Sequence, residues 1–127
     1  MATTAQAMRA RYAADSVGTA SPARLLTMLY DRLVRDLTVA GAAITAGDVP
    51  TANDELLHAQ AIVSELASSL DVDAWDGGPG LLQLYRFLQT ELIAANVSKD
   101  AARVTACRDL VEPLRDAWHQ AAAGSGR

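Results

Sequence analysis

Four stretches of the chain carry apolar residues at helical spacing, and this periodicity constrains the fold more than any other feature. The clearest stretch lies between residues 49 and 70, where apolar residues recur at alternating steps of four and three. Such spacing places the side chains along one stripe of a helix and suits near-parallel packing against another helix. The stripe comprises Ala52, Leu56, Ala59, Val63, Leu66 and Leu70.

Similar stripes predict three more helices, over residues 22–46, 81–97 and 99–122. Pro113 lies inside the last of them and is expected to kink it, because proline removes one backbone hydrogen bond. The stripes are Leu26, Leu29, Leu33, Leu37, Ala40 and Ile44 in the first helix, Leu81, Tyr85, Leu88, Leu92 and Ala95 in the third, and Val104, Cys107, Val111, Leu114, Trp118 and Ala121 in the fourth.

Residues at the predicted helix ends have the chemistry of caps. Ser21 precedes Pro22, a pair that favours a helix start, because the hydroxyl accepts from exposed N–H groups and proline fits the first helical position. Gly47 is suited to ending the first helix, and Asp48 to capping the second. We expect Ser98 to cap the fourth helix.

Four amphipathic helices with short connections fold most simply as an antiparallel up-down-up-down four-helix bundle. The sequence therefore predicts one all-α domain over residues 1–127, with a short mobile N-terminal segment over 1–20 and a flexible tail over 123–127. The connection at 71–80 holds three glycines and predicts a loop. We expect Trp75 in this loop to cover the core.

Composition limits the functional classes. The formal net charge is −4 and no basic block occurs, which disfavours nucleic-acid binding. One cysteine permits no internal disulfide and suits a reducing compartment. No apolar run reaches the roughly 18 residues that a membrane span needs, and the N-terminus lacks the apolar core of a secretory signal. We expect a cytoplasmic protein.

Residues that could carry catalysis or bind metal are sparse. His58 and His119 are the two histidines, and neither belongs to a HExxH pattern or a comparable ligand set. Residues 77–80 lack the lysine and flanking strand of a phosphate-binding loop. Glu112 and Asp116 are more simply explained by nearby arginines than by acid–base chemistry. We therefore expect no enzyme activity, no metal and no cofactor.

The helices contain more large apolar residues than four stripes require. The additional side chains either thicken the core or form grooves that receive an amphipathic partner helix. The sequence alone leaves both interpretations open. These residues are Leu25, Met28, Tyr30, Leu57, Ile62, Leu84 and Phe87.

Several segments, in the same order along the chain, resemble those of the flagellin export chaperones, the FliS family. The resemblance extends from about Tyr12 to Trp118. Each segment is unspecific alone, and the ordered set is specific. The segments are Val17-Gly18-Thr19-Ala20-Ser21-Pro22, Met28-Leu29-Tyr30-Asp31, Ala59-Gln60-Ala61-Ile62-Val63, Leu84-Tyr85-x-Phe87, Ala94-Ala95-Asn96 and Leu114-Arg115-Asp116-Ala117-Trp118.

This resemblance implies a cytosolic helical bundle that binds the disordered C-terminal region of newly made flagellin. Such a chaperone prevents premature polymerisation and helps deliver flagellin to a gate component of the flagellar type III export apparatus. In the family, an N-terminal segment with an aromatic residue at the position of Tyr12 packs on the bundle and yields to flagellin. Arg9 replaces a second aromatic of that segment.

We expect a monomer or homodimer without nucleic acid or membrane insertion, and the predicted partner-binding residues include apolar and polar side chains. Asn96 and Asp100 supply the polar contacts. A generic helical dimerisation module and a small-molecule-binding bundle are the alternatives. The apolar contacts are Tyr12, Met28, Tyr30, Leu57, Ile62, Leu84 and Phe87.

Overall fold

The computed structural model describes residues 21–125, which form four α-helices and no strand. The all-α class is therefore confirmed. The predicted mobile segment and the last two residues of the predicted tail lie outside the described residues, and the final helix runs three residues into that tail. The helices are α1 (Pro22–Thr45), α2 (Val49–Ser69), α3 (Gly78–Ser98) and α4 (Ala101–Ser125).

The helices form a ring in which each packs on its neighbours in the chain, and α1 closes the ring against α4. Two pairs of side chains show the helix directions. Asp31 in the first half of α1 contacts His119 in the last third of α4, with Oδ1 and Nε2 2.7 Å apart. Asn53 near the start of α2 accepts a 3.0 Å hydrogen bond from Asn96 near the end of α3. Neighbouring helices therefore run antiparallel, as an up-down-up-down bundle requires.

The predicted caps of α1 and α2 are confirmed. The Arg24 N–H donates to Ser21 Oγ at 3.1 Å, and the Thr51 N–H donates to Asp48 Oδ1 at 3.2 Å. Each bond satisfies a donor that the first helical turn leaves without a backbone partner. Farther along, α4 continues through Pro113 without interruption.

The predicted cap of α4 is wrong. Ser98 is still the last residue of α3, and Lys99 after it has a left-handed backbone with φ 52°. Asp100 caps α4 instead, since its Oδ1 accepts from the N–H groups of Ala102 and Arg103 at 3.0 and 3.2 Å. The left-handed residue turns the chain sharply, so the residue after it occupies the capping position.

The predicted stripes meet at the centre of the bundle. Leu56, Leu66, Leu88 and Leu92 are at most 2% exposed, and the α3 stripe is buried throughout. Ala121 is the exception, because it is exposed. The relative lengths of α3 and α4 explain this exposure. Their alignment is given by Arg103 of α4, whose Nη1 lies 2.9 Å from Oε2 of Glu91 of α3.

Helices α3 and α4 run antiparallel. Measured from the Arg103–Glu91 contact toward the start of α3, α4 extends farther than α3 does. Glu91 lies 13 residues after the first residue of α3, whereas Ala121 lies 18 residues after Arg103. The last turns of α4 therefore pass beyond the start of α3.

We predict that Leu66→Ala lowers the free energy of unfolding by about 2–5 kcal/mol, because it leaves a cavity among fully buried side chains. The matched variant Ser68→Ala, at an exposed position on the same helix, should change stability by less than about 0.5 kcal/mol. Chemical denaturation followed by circular dichroism measures both. An unchanged midpoint for Leu66→Ala would contradict the assigned packing of α2.

Two glycines in the first turn of α3 provide a second test of packing. A Cβ at Gly78 would lie 2.1 Å from the carbonyl oxygen of Val72, whereas a Cβ at Gly80 would have no atom within 4 Å. Gly78→Ala should destabilise the fold by more than about 1 kcal/mol through this clash. Gly80→Ala should stabilise it by up to about 1 kcal/mol through helix propensity. Equal effects in thermal denaturation would contradict this packing.

Candidate functional site

An apolar cavity of about 400 Å³ opens at the end of the bundle where α1 begins and α4 ends. It lies at the end where α4 passes beyond α3, and the connection between α2 and α3 covers it in part. Trp75 in that connection is 51% exposed at the rim, so it covers the core only partly. The lining is mainly apolar and includes Leu25, Leu26, Leu29, Leu70, Trp75 and Trp118.

Tyrosine and tryptophan side chains lie at the inner end of this cavity. The hydroxyls of Tyr30 and Tyr85 are 2.5 Å apart, which joins the diagonal helices α1 and α3. The ring centroids of Tyr30 and Trp118 are 6.3 Å apart, and the buried Nε1 of Trp118 has no hydrogen-bond partner among the described residues. Burial raises the pKa of both tyrosines, so both hydroxyls stay neutral.

The placement of Tyr30 corrects a sequence-based expectation. Tyr30 was expected on a partner-binding surface, but its side chain is 0% exposed and belongs to the core. Its hydroxyl finds a partner on the opposite helix, so the interior satisfies both its ring and its polar atom. Contact of Tyr30 with a partner would require the bundle to open.

A second opening of about 320 Å³, here called the α1–α2 recess, lies beside the end cavity, with which it shares Leu25 and Leu29. Met28 at its edge is 48% exposed, whereas Ile62 is 5% exposed and lies mostly in the core. Met28 is therefore the apolar side chain that the recess exposes most, with Leu25 and Leu29 partly exposed beside it. The recess is lined by Leu25, Met28, Leu29, Arg32, His58 and Ile62.

Asp36, a buried acidic residue that the sequence analysis missed, lies beside this recess and is 0% exposed. Arg32 Nε donates to Asp36 Oδ1 at 2.9 Å, Arg35 Nη1 lies 3.7 Å from the same oxygen, and His58 Nδ1 contacts Oδ2. These partners compensate the carboxylate for lost water. Its spacing of three from Leu33 was the available signal, because that spacing puts Asp36 beside the apolar stripe of α1.

A third region, the α3–α4 face, carries Leu84, Phe87 and Leu110. Leu84 and Phe87 precede Glu91 by seven and four residues, and Leu110 follows Arg103 by seven. Because Glu91 and Arg103 are paired across the two helices, these spacings turn the apolar side chains toward the same side. Phe87 is 50% exposed and Leu110 is 41% exposed.

Two hydrogen bonds between α2 and α3 mark the opposite side of α3. Asn96 Nδ2 donates to Asn53 Oδ1, and Gln89 Nε2 donates to Ser64 Oγ, each at 3.0 Å. Residues between these two pairs lie beside one another across the antiparallel helices. Four apolar residues share this region, here called the α2–α3 face: Val49, Leu57, Ile93 and Val97.

The two predicted polar contacts hold parts of the bundle together. Asn96 bridges α3 to α2, and it also accepts from Lys99 Nζ at 2.6 Å. Asp100 caps α4. The predicted partner-binding residues therefore do not form one continuous surface: Met28, Leu57 and Phe87 are about half exposed on three different sides, Leu84 is partly buried, and Tyr12 lies outside the described residues.

The nucleophilic and metal-binding chemistry of the described residues is limited. No group of histidine, cysteine or carboxylate side chains within residues 21–125 is arranged to hold a metal ion. Cys107 is 1% exposed, and burial raises the pKa of its thiol to about 11, so the thiolate is scarce at neutral pH. None of the helices in this part of the chain is long and apolar enough to cross a membrane.

Comparison with known proteins supplies the family. The family model described as "Flagellar protein FliS" matches residues 4–125. The chain belongs to the FliS family. This match covers all four helices and the two openings and two faces described above, and it confirms the resemblance found in the sequence.

Curated relatives from three bacteria carry the same description, "Flagellar secretion chaperone FliS". The protein of Bacillus subtilis (strain 168) is 31% identical over 110 residues, which cover 87% of this chain and 82% of the relative. That of Vibrio cholerae is 27% identical, covering 84% and 79%. That of Salmonella typhimurium is 31% identical, covering 84% and 80%. The chain therefore belongs to a family of flagellar secretion chaperones. Chaperones are not a class of enzymes.

We predict that Glu55→Gln stabilises the bundle at neutral pH, by on the order of 0.5 kcal/mol. Burial raises the pKa of Glu55, and the neighbouring Asp36 raises it further. A carboxyl whose pKa is higher in the folded state loses stability as it ionises. The advantage of the variant should therefore be present at neutral pH and disappear in acid below about pH 4, the unfolded pKa. Urea denaturation at both pH values measures it; a difference that is the same at both would contradict this account.

Proposed function

We propose that this chain is a cytosolic chaperone that binds the disordered C-terminal region of flagellin, prevents its premature polymerisation and assists its delivery to the flagellar type III export apparatus. The family supports secretion chaperoning in general. The observation that carries the flagellin-binding proposal is the open apolar cavity at the end of the bundle, lined by Leu25, Leu26 and Leu29 of α1.

A disordered client needs a binding surface of this type. Ordering a flexible chain costs conformational entropy, so the client gains affinity by burying apolar side chains over a long path rather than in one pocket. The end cavity, the α1–α2 recess with Met28 and the α3–α4 face with Phe87 lie on different sides of the bundle. A segment that wraps around the bundle can use all three, with Leu57 and Ile62 as further contacts.

Polar groups and the N-terminal segment complete the proposed interaction. We propose that Asn96 and Asp100 contribute polar contacts in addition to their bonds within the bundle. We also propose that the segment with Tyr12 packs on the bundle surface before flagellin binds and is then displaced by it. The complex with flagellin, rather than the empty chaperone, would be the form that meets a component of the export gate. No cofactor takes part in this proposal.

Isothermal titration calorimetry with a C-terminal fragment of flagellin tests the proposed surface. Met28→Asp and Phe87→Asp should each weaken binding at least about tenfold, because they place a charge where apolar side chains of the client are buried. The double variant Leu57→Asp, Leu84→Asp should also bind more weakly. Thr105→Asp, an equal change of charge at an exposed polar site of α4, should leave affinity unchanged.

Two results would contradict the proposal. One is wild-type affinity in both single variants and in the double variant, which would place the client elsewhere. The other is absence of binding by the unaltered chain, which would favour an interaction module without flagellin specificity. Circular dichroism of each variant establishes that the bundle is intact.

Tryptophan fluorescence tests the end cavity directly. The chain contains two tryptophans, and both Trp75 and Trp118 line the cavity. Filling the cavity with apolar side chains should shift the emission of the half-exposed Trp75 to shorter wavelength. The shift should shrink in Trp75→Phe, whereas an unshifted spectrum at saturating flagellin fragment would show that the client does not occupy the cavity.

A further inference from the structure

The buried carboxylate of Asp36 gathers three side chains that can carry positive charge at the edge of the α1–α2 recess. The Asp36 side chain is 0% exposed, whereas those of Arg32, Arg35 and His58 are 50%, 57% and 46% exposed. The acid therefore lies beneath the surface, and a partner first meets two guanidinium groups and an imidazole.

Asp36 holds two of these side chains by their inner nitrogens. Arg32 donates through Nε, and His58 contacts the other carboxylate oxygen through Nδ1. Among residues 21–125, the Nη atoms of Arg32 and Nε2 of His58 have no hydrogen-bond or ion-pair partner. Because Asp36 already fixes both side chains, a ligand that binds the outer nitrogens loses little affinity to side-chain ordering.

The contact with Asp36 also decides what Nε2 of His58 offers to a partner. An ionised carboxylate only accepts, so Nδ1 of His58 carries the hydrogen. Nε2 then has a lone pair while the ring is neutral, and it becomes a donor when the ring is protonated. A carboxylate at Nε2 therefore requires the protonated ring, whereas the guanidinium of Arg32 donates at every physiological pH.

Apolar side chains adjoin these outer nitrogens. Arg32 and His58 line the α1–α2 recess together with Leu25, Met28 and Leu29. An inorganic anion would use only the polar part of this lining. An amphipathic peptide segment that carries an acidic side chain beside its apolar ones would use all of it.

We infer that Arg32 and His58 form a carboxylate subsite that binds an acidic side chain of the client, while a neighbouring apolar side chain of the client packs on Met28. Asp36 acts through them as a positioning residue. The exposed cations are nearer to the client than the buried Asp36, and Coulomb attraction falls with distance, so an acid is favoured over a base. This inference rests on the proposed function and adds to it the chemistry of one client residue.

The charges around His58 belong to α1 and α2. Helix α3 packs on α2 through uncharged side chains, and its acid Glu91 pairs with Arg103 of α4. Arg86 of α3 lies more than about two turns from the level of His58. The charged groups that face or flank His58 are Arg32, Arg35 and Asp36 of α1 and Asp54, Glu55 and Glu65 of α2.

Isothermal titration calorimetry of the full chain with the C-terminal fragment of flagellin, at about pH 6 and about pH 8, tests the subsite. Histidine is the side chain that ordinarily gains a proton between these values, so the unaltered chain should bind at least about threefold more tightly at the lower pH. His58→Asn keeps an amide donor near the position of Nδ1 and removes Nε2. This variant should abolish the difference between the two pH values.

Two matched variants should retain that difference. Burial raises the pKa of Glu55, so Glu55→Gln removes the other group near the recess that mild acid can protonate. His119→Gln removes the second histidine and keeps a donor near the position of Nε2, which contacts Asp31. Circular dichroism of each variant establishes that the bundle is intact.

Substitution in the fragment tests the subsite without altering the bundle. Each aspartate and glutamate of the fragment is replaced in turn by its amide. One replacement should weaken binding to the unaltered chain at about pH 6 by at least about threefold, and it should have no effect on binding to His58→Asn.

The outcomes separate the subsite from the proposed function. Equal affinity at both pH values, an unchanged pH difference in His58→Asn, or a fragment in which no amide replacement matters would overturn the subsite and leave the proposed function standing. Absence of binding at both pH values would overturn the proposed function, and the subsite with it.

Discussion

Unequal helix ends are the constraint on which the end cavity of this bundle depends. Leucine and valine side chains fill the centre, where all four helices lie beside one another. At one end α4 continues beyond the start of α3, so the last turns of α4 lie beside α1 but past the first residue of α3. The cavity lined by Trp75 and Trp118 follows directly, because a connection of a few residues cannot replace a missing helical turn.

Most of the fold could be predicted because periodicity reports which side of a helix is buried. The stripes of α2 and α3 were predicted almost residue by residue, since each helix has one apolar side and two close neighbours. Periodicity carries less information about where a helix ends. Ser98 and Asp100 are both good capping residues by type, and the left-handed backbone at Lys99 decides between them. Gly78 was predicted as a loop glycine, whereas it begins α3 and approaches the backbone of Val72 closely.

The candidate surfaces were harder to predict than the core. A large apolar side chain beside a stripe either deepens the core or faces solvent, and the choice depends on the neighbouring helix. Tyr30 is buried, and Tyr85 on α3 lies within hydrogen-bonding distance of its hydroxyl. Phe87, two residues after Tyr85 on the same helix, is half exposed. Asp36 shows the reverse difficulty. Its residue type suggests the surface, but arginine and histidine side chains make burial possible. These polar pairs favour one register of α1 against its neighbours, because a shifted register would leave buried groups without partners.

The single cysteine has a practical consequence for studying this bundle. Cys107 is enclosed by the core and keeps its proton at neutral pH, so reagents that attack thiolates reach and react with it slowly. A cysteine introduced at an exposed position would be far more reactive than the native one. Spectroscopic probes could therefore be attached at chosen surface sites while the natural interior residue is retained.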